Sequence, residues 1–378
     1  MRTDWHPWRV TQLRTVQVLG GGSAGSSAHV RSLAAGLVAR GVRVTVCAPA
    51  HVEHDYDFLG AGAHFAPVPR RSDPAAVGAL RAVCSGADVV HAHGLHAALR
   101  VGLALAGQRR VPLVVTWHTR AHAAGARGRL LGLLERRAVR AAAVVLGTSS
   151  ELVDRARDRG ARDARLSPVS VPGLRRPAGS YESYGAYESK ARAELGAVDR
   201  PLLMAVGRLE PGRGYETLLD AARDWLRLDP VPLVVIAGEG HERGPLQRRI
   251  DAEGLPVRLI GRRDDVSELL AAADLALLPS RWEARSLLAQ EALSLGVPLV
   301  ATRVGGVPEL VGDAAELVPY GDSAALAGAV TGLLADPDRR GRLAAAGLAQ
   351  AATWPTEDET IAQVLSIYDE LTRPGTVA

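Results

Sequence analysis

The densest concentration of chemistry-bearing residues is WEARSLLAQEALSLG, Trp282 to Gly296. Leu287, Leu288, Ala292 and Leu295 recur at helical spacing, and Glu291 falls inside their stripe. A carboxylate in an apolar stripe is costly unless something pairs with it. Taken alone, Glu291 reads as an ion pair with a neighbouring arginine or a bond to an N-terminal amide. Glu283 precedes the helix, which starts near Ser286, and Glu291 leans back toward the same first turn. Two carboxylates thus frame a helix N-terminus whose free N–H groups suit a phosphate. Carboxylates that accept sugar hydroxyls beside such a helix end describe a nucleotide-sugar site, and Leu287 and Leu288 are counted with it.

The positive counterpart is VGRLEPGRG, Val206 to Gly214. Arg208 closes an apolar run, and Arg213 opens the next helix between two glycines. Two guanidinium groups there can neutralise a diphosphate leaving group, work often done by a metal. By itself Arg213 reads equally as one solvated arginine among many, since Lys190 is the only lysine in the chain. GGGSAG (Gly20 to Gly25), which contains Gly22, is a literal G-x-G-x-x-G between a strand run and a helix. The acid that would hold a nicotinamide ribose is missing, because VRVTVCAPA ends in Pro49 and Ala50. A loop that lets a ligand reach the backbone at a helix N-terminus remains, and so does a plain tight turn. His118 ends the run PLVVTWH, where a lone histidine is more often structural.

The elements that position these residues follow one rhythm. Short Val- and Leu-rich runs alternate with helical segments: 15–19, 42–49, 88–93, 112–118 and 143–149 in the first half, then 201–209, 232–240, 257–261, 274–280 and 298–306 in the second. Strands buried on both faces with helices between them imply two parallel, doubly wound α/β sheets. Ligands of such sheets bind outside the carboxyl ends of the strands, which is where the unusual residues collect. From Pro172 to Glu194 the text is rich in Pro, Gly, Ser and Tyr and shows no apolar period, so an interdomain linker is expected there.

The bulk properties exclude more than they choose. At 378 residues the chain exceeds one ordinary core, and 47% apolar with 23% charged residues is ordinary for a globular protein. A net charge of +4 suits an acidic small substrate as well as nucleic acid, but no nucleic-acid module is recognisable. Cys47 and Cys84 offer neither a disulfide framework nor metal-ligand spacing. The start has no apolar signal-peptide core, and no stretch approaches the roughly 18 apolar residues of a membrane span. A cytoplasmic protein is expected. The arginine-rich amphipathic segment 127–140 suits either peripheral contact with an anionic membrane or packing on its own sheet.

Taken together, GGSAGSSAHVRSLAAGLVARGVRVTV, DVVHAHG, VTWHT, VGRLEPGRG, the pair Glu283 and Glu291, and GGVPELV resemble the retaining GT-B glycosyltransferases of family 4, also called glycosyl transferases group 1. The resemblance runs from about Thr15 to the Trp354 segment. It implies two Rossmann-like doubly wound domains facing across a cleft. An acceptor domain takes residues 1–172 and is completed by the C-terminal helix 356–378, a linker takes 173–196, and a nucleotide-sugar domain takes 197–355. It implies a hexosyltransferase-type enzyme that retains configuration, needs no metal or cofactor, and uses a nucleotide-diphosphate sugar as co-substrate. The acceptor is a small molecule, a glycan or a lipid-linked group. Carried over, Arg208 and Arg213 match the basic pair on the diphosphate, Glu283 the carboxylate on the donor sugar, and Glu291 the one on the ribose. His118 matches the histidine near the anomeric carbon, and Gly22 the glycine loop near the diphosphate. His118, Glu283 and Arg208 are the catalytic candidates.

The chain departs from the family at two places. Arg213 stands where a lysine is usual, and Ala284, Arg285 and Ser286 replace the common Gly-Phe-Gly. The second change leaves Arg285 as a phosphate contact or a solvent-facing residue. It also keeps open a catalytically silent sugar-nucleotide-binding protein; a nicotinamide-dependent oxidoreductase is the remaining alternative.

Overall fold

The computed structural model describes residues 12–20, 24–69, 74–107, 111–120, 125–169 and 181–373. Two compact units emerge: Met1–Pro172 with Pro355–Ala378, and Gly173–Trp354.

The first unit carries a seven-stranded sheet of β1 (Arg14–Leu19), β2 (Arg43–Ala48), β3 (His64–Pro67), β4 (Val89–His93), β5 (Leu113–Trp117), β6 (Val144–Gly147) and β7 (Ala164–Leu166). Its order is β3-β2-β1-β4-β5-β6-β7, and every pairing is parallel. The order reverses between β1 and β4, the point where a doubly wound sheet opens a crevice at its strand ends. The connecting helices are α1 (Ala24–Ala39), α2 (Ala50–Tyr56), α3 (Pro74–Cys84), α4 (Leu95–Ala104), α5 (Gly125–Ala141) and α6 (Ser150–Asp158).

The second unit carries a six-stranded parallel sheet in the order β10-β9-β8-β11-β12-β13. These strands are β8 (Leu202–Val206), β9 (Leu233–Ala237), β10 (Val257–Gly261), β11 (Leu275–Leu278), β12 (Leu299–Thr302) and β13 (Glu316–Val318). Its helices are α7 (Tyr181–Leu195), α8 (Tyr215–Trp225), α9 (Arg243–Glu253), α10 (Val266–Ala271), α11 (Leu287–Leu295), α12 (Val307–Val311), α13 (Ser323–Ala335) and α14 (Pro337–Ala351). Leu202 and Met204 pack into one core while Leu203 and Ala205 pack into the other, so both faces of β8 are dry. That explains why these strands read as unbroken apolar runs.

The last helix, α15 (Glu357–Thr372), belongs to the first unit. A capping box starts it: Thr356 Oγ1 accepts from the Glu359 amide, and the Glu359 carboxylate accepts from the Thr356 amide. Ile361, Val364, Ile367 and Tyr368 then bury against the core that holds Val30, Leu33 and Leu37 of α1. Gly36 makes that approach possible, because a Cβ there would lie 2.1 Å from Ile361 Cδ1.

Within the expected linker 173–196 the structure has α7. Ala191 and Leu195 bury in the second unit's core, and Arg192 donates to the carbonyls of Ala272 and Arg200 and to Asp274. One apolar i, i+4 pair is too little to show as a period, yet it suffices to dock the end of this helix.

Candidate active site

In the second unit, three strand-end loops meet around Glu283. The loop after β11 carries Glu283 and ends at Ser286, whose hydroxyl caps α11 by accepting from the Ala289 amide at 3.3 Å. Glu283 is largely buried, and its carboxylate accepts a hydrogen bond from Arg213, in the loop after β8. Those two loops also meet through their backbones, where the Arg281 amide donates to the Gly212 carbonyl at 2.8 Å. The loop after β12 closes the third side: the Gly306 amide donates to the Glu283 carbonyl at 2.9 Å. Its neighbour Gly305 sits at φ +54, and a Cβ there would lie 2.0 Å from that same carbonyl. Only glycine allows this contact. Burial raises the Glu283 pKa, opposed by Arg213 and by a hydrogen bond from Ser280.

Glu291 lies on α11, and the Ser267 hydroxyl donates to it at 2.8 Å. Among the described residues it has no ion pair, so neither partner open to it from sequence alone, a neighbouring arginine or an N-terminal amide, is the one found. Burial raises its pKa, the Ser267 bond opposing. Leu287 is 40% exposed at the helix start, whereas Leu288 points into the core. Arg208 is mostly exposed and pairs with Glu210 at 2.7 Å. Arg285 does not simply face solvent. Its guanidinium stacks on the Trp354 ring, 5.4 Å from the centroid, and its Nε donates to Gln290 at 3.2 Å. Burial brings its pKa down to about 10, opposed by Glu309.

The first unit offers a polar layer that sequence reading reduced to one residue. Side chains two apart on a strand share a face, so Thr15 and Gln17 of β1, His91 and His93 of β4, and Thr116 of β5 line one side of the sheet, with His118 just past the end of β5. The register sets Gln17 beside His91 and His93 beside Thr116. His118 Nε2 lies 3.5 Å from His93 Nδ1, and His93 Nε2 lies 3.0 Å from Gln17 Oε1. Tyr368 of α15 places its hydroxyl 2.9 Å from Gln17 Nε2 and 2.7 Å from His91 Nδ1. His29 of α1 meets His93 and His118 edge-on. Burial lowers the pKa of all four rings, so they are neutral at pH 7. The alternation HAH in DVVHAH was the sequence signal for a shared histidine face. Gly22 lies outside the described residues. Among the described residues, no group of three or more His, Cys, Asp or Glu is placed to hold a metal ion.

Residues 188–350 match the family described as glycosyl transferases group 1, and residues 24–172 match the glycosyl transferase 4-like domain. A D-inositol 3-phosphate glycosyltransferase from Frankia alni is 32% identical over 324 residues, which cover 77% of this chain and 76% of that protein. The chain belongs to the group 1 glycosyltransferases. Another relative of this glycosyltransferase is the alpha-D-kanosaminyltransferase of Streptomyces kanamyceticus, 34% identical over 251 residues. That match covers 63% of this chain and 63% of the relative's own length. The fold is GT-B, two Rossmann-like α/β units. Anabaena Alr3699/HepE, solved in complex with UDP and glucose, superposes with a TM-score of 0.79 at 21% identity, covering 94% of this glycosyltransferase and 100% of that chain. WaaG, a glycosyltransferase involved in lipopolysaccharide biosynthesis, gives 0.70 at 18% identity, covering 95% and 99%.

Proposed function

We propose that this glycosyltransferase moves a sugar from a nucleotide-diphosphate donor to a hydroxyl acceptor, with retention of configuration and without a metal. The observation that carries this reading is the Arg213–Glu283 pair, framed by three strand-end loops beside the N-terminus of α11. Phosphate oxygens suit Arg213 and the exposed Arg208; sugar hydroxyls suit the Glu283 carboxylate; the ribose suits Glu291. Leu287 and Leu288 contribute the first amides of α11, which face a phosphate in the way of helix N-termini. During transfer the bond from the anomeric carbon to the diphosphate breaks and one to the acceptor oxygen forms on the same face. The two guanidiniums then stabilise the charge that develops on the departing phosphate oxygen. His118 is assigned to the reacting end of the substrates.

HepE was solved with UDP and glucose, and the named relatives are glycosyltransferases, which supports a nucleotide-sugar co-substrate. Calorimetric titration with nucleotide diphosphates, followed by turnover of the matching sugar nucleotide, tests the reading. Binding without any turnover, hydrolytic or to added acceptors, would favour the silent sugar-nucleotide binder. Stabilisation by NAD(P)H alone would favour an oxidoreductase.

We also place the protein in the cytoplasm, in peripheral contact with an anionic membrane face through 127–140. Two of the four leucines of α5 turn away from their own sheet: Leu130 and Leu133 are 58% and 60% exposed, while Leu131 and Leu134 are half-buried and Gly132, Glu135, Ala138 and Val139 form the buried side. Exposed leucines among Arg127, Arg129, Arg136, Arg137 and Arg140 suit a lipid-linked acceptor's surroundings. Sedimentation with phosphatidylglycerol vesicles, lost in Leu130→Ser/Leu133→Ser, checks this; no sedimentation of the unaltered protein overturns it. No helix among the described residues is long and apolar enough to cross a membrane.

A further inference from the structure

His118 is the residue of the first unit assigned to the reaction, and which of its two ring nitrogens carries the proton decides what it can do there. The bonds behind it give an answer. Gln17 turns its amide nitrogen toward two hydroxyls, Tyr368 at 2.9 Å and Thr15 at 3.3 Å, which leaves its carbonyl oxygen facing His93 Nε2 at 3.0 Å. A carbonyl only accepts, so His93 carries its proton on Nε2 and, being neutral, offers Nδ1 as a lone pair. The nitrogen opposite that lone pair is His118 Nε2, at 3.5 Å, so the His118 proton sits there. In the other direction, Tyr368 accepts from Gln17 and donates its single proton to His91 Nδ1 at 2.7 Å. His91 then donates from Nε2 to Thr116 Oγ1 at 2.6 Å. Every link points the same way, and reversing one donor reverses the whole row.

We propose that Gln17 and His93 are positioning residues that hold His118 as its Nε2–H tautomer, so that His118 Nδ1 accepts the hydrogen of a substrate hydroxyl. This deepens the proposed function and rests on His118's place in that reaction. The other titratable groups around the row are His29 of α1, His91 of β4 and Tyr368 of α15, all neutral at pH 7. None of these described groups is charged at pH 7 to compete with the row for control of the proton. A His118 fixed in this way contacts a hydroxyl rather than a phosphate, because it presents a lone pair and no positive charge. Sequence alone gives no hint of it, since Gln17 and Tyr368 are 351 positions apart.

The test is nitrogen NMR of the full chain labelled with 15N-histidine, with the His118 signals assigned by their loss in His118→Asn. The expected spectrum has a protonated Nε2 and an unprotonated Nδ1. In Gln17→Met, His93 loses its acceptor, and the two His118 nitrogen shifts should move toward each other as both tautomers populate. Turnover should fall about tenfold, on the scale of one misdirected hydrogen bond, with nucleotide-diphosphate affinity unchanged. A protonated Nδ1 in the unaltered protein overturns the proposal whether or not any variant folds. Unchanged His118 shifts in a folded Gln17→Met overturn it too, whatever happens to turnover. Shifts that move while turnover does not would uphold the row of bonds and instead remove His118 from the reaction.

Discussion

Arg213 donates to the Glu283 carboxylate and so ties the loop after β8 to the loop after β11. The two residues assigned to opposite ends of the donor, phosphate and sugar, are partners in the protein itself. The pair favours the ionised form of the Glu283 carboxylate, against the burial that raises its pKa.

Arg213→Ala is accordingly expected to do two things. It leaves the Glu283 carboxylate buried without its cation, a loss of roughly 1–3 kcal/mol in stability. The loss should shrink toward pH 5, because burial already raises the Glu283 pKa and the carboxyl then takes a proton. Urea titrations at pH 7.5 and 5 measure both effects. Equal stability of variant and parent at pH 7.5 would remove the structural half of this account.

The two glutamates should separate by experiment. Glu291→Ala is expected to weaken binding of the bare nucleotide diphosphate by roughly 1–3 kcal/mol, the scale of hydrogen bonds to a charged group. Glu283→Ala should leave that affinity nearly unchanged while lowering turnover and blurring discrimination among donor sugars. Calorimetry beside steady-state rates decides it, and a larger binding loss at Glu283 would invert the assignment.

The diphosphate charge is assigned to Arg208 and Arg213, so a chelator should leave binding and turnover intact. Arg208→Ala should then lower turnover more than it weakens binding, because its contact strengthens as the leaving group departs. An absolute requirement for Mg²⁺ or Mn²⁺ would overturn the metal-free mechanism.

The histidine layer makes stability depend on pH with a definite sign. In the unfolded chain these rings take up protons below about 6.5. In the folded chain His29 resists down to about 4 and His118 down to about 3. Stability is therefore full above pH 6.5 and declines as pH falls from there toward 4 and 3, since the unfolded chain binds more protons across that window. At pH 5.5 the two rings together cost on the order of a few kcal/mol. Urea midpoints at pH 7.5 and 5.5 read this out, and His29→Asn should flatten the dependence. A midpoint that does not move between those pH values contradicts it.

Much of the architecture is written along the chain. Strands buried on both faces leave unbroken apolar runs, and the alternation of such runs with helical periods specifies two doubly wound sheets. The strands that reading misses are β3, β7 and β13, each at a sheet edge and built from short, half-exposed segments with no apolar run to show. Motif residues such as Glu283, Arg213 and His118 stand out because their types at strand ends are local facts. Their partners are not local. Glu283 meets Arg213 from 70 positions away, Glu291 takes Ser267 rather than an arginine, and Arg285 lies against Trp354. Spacing along a strand or helix tells which face a side chain occupies, but the order of strands and the docking of α15 decide what waits opposite that face. Only when β1 lies beside β4, and Tyr368 comes down on both, does the proton on His118 acquire a place.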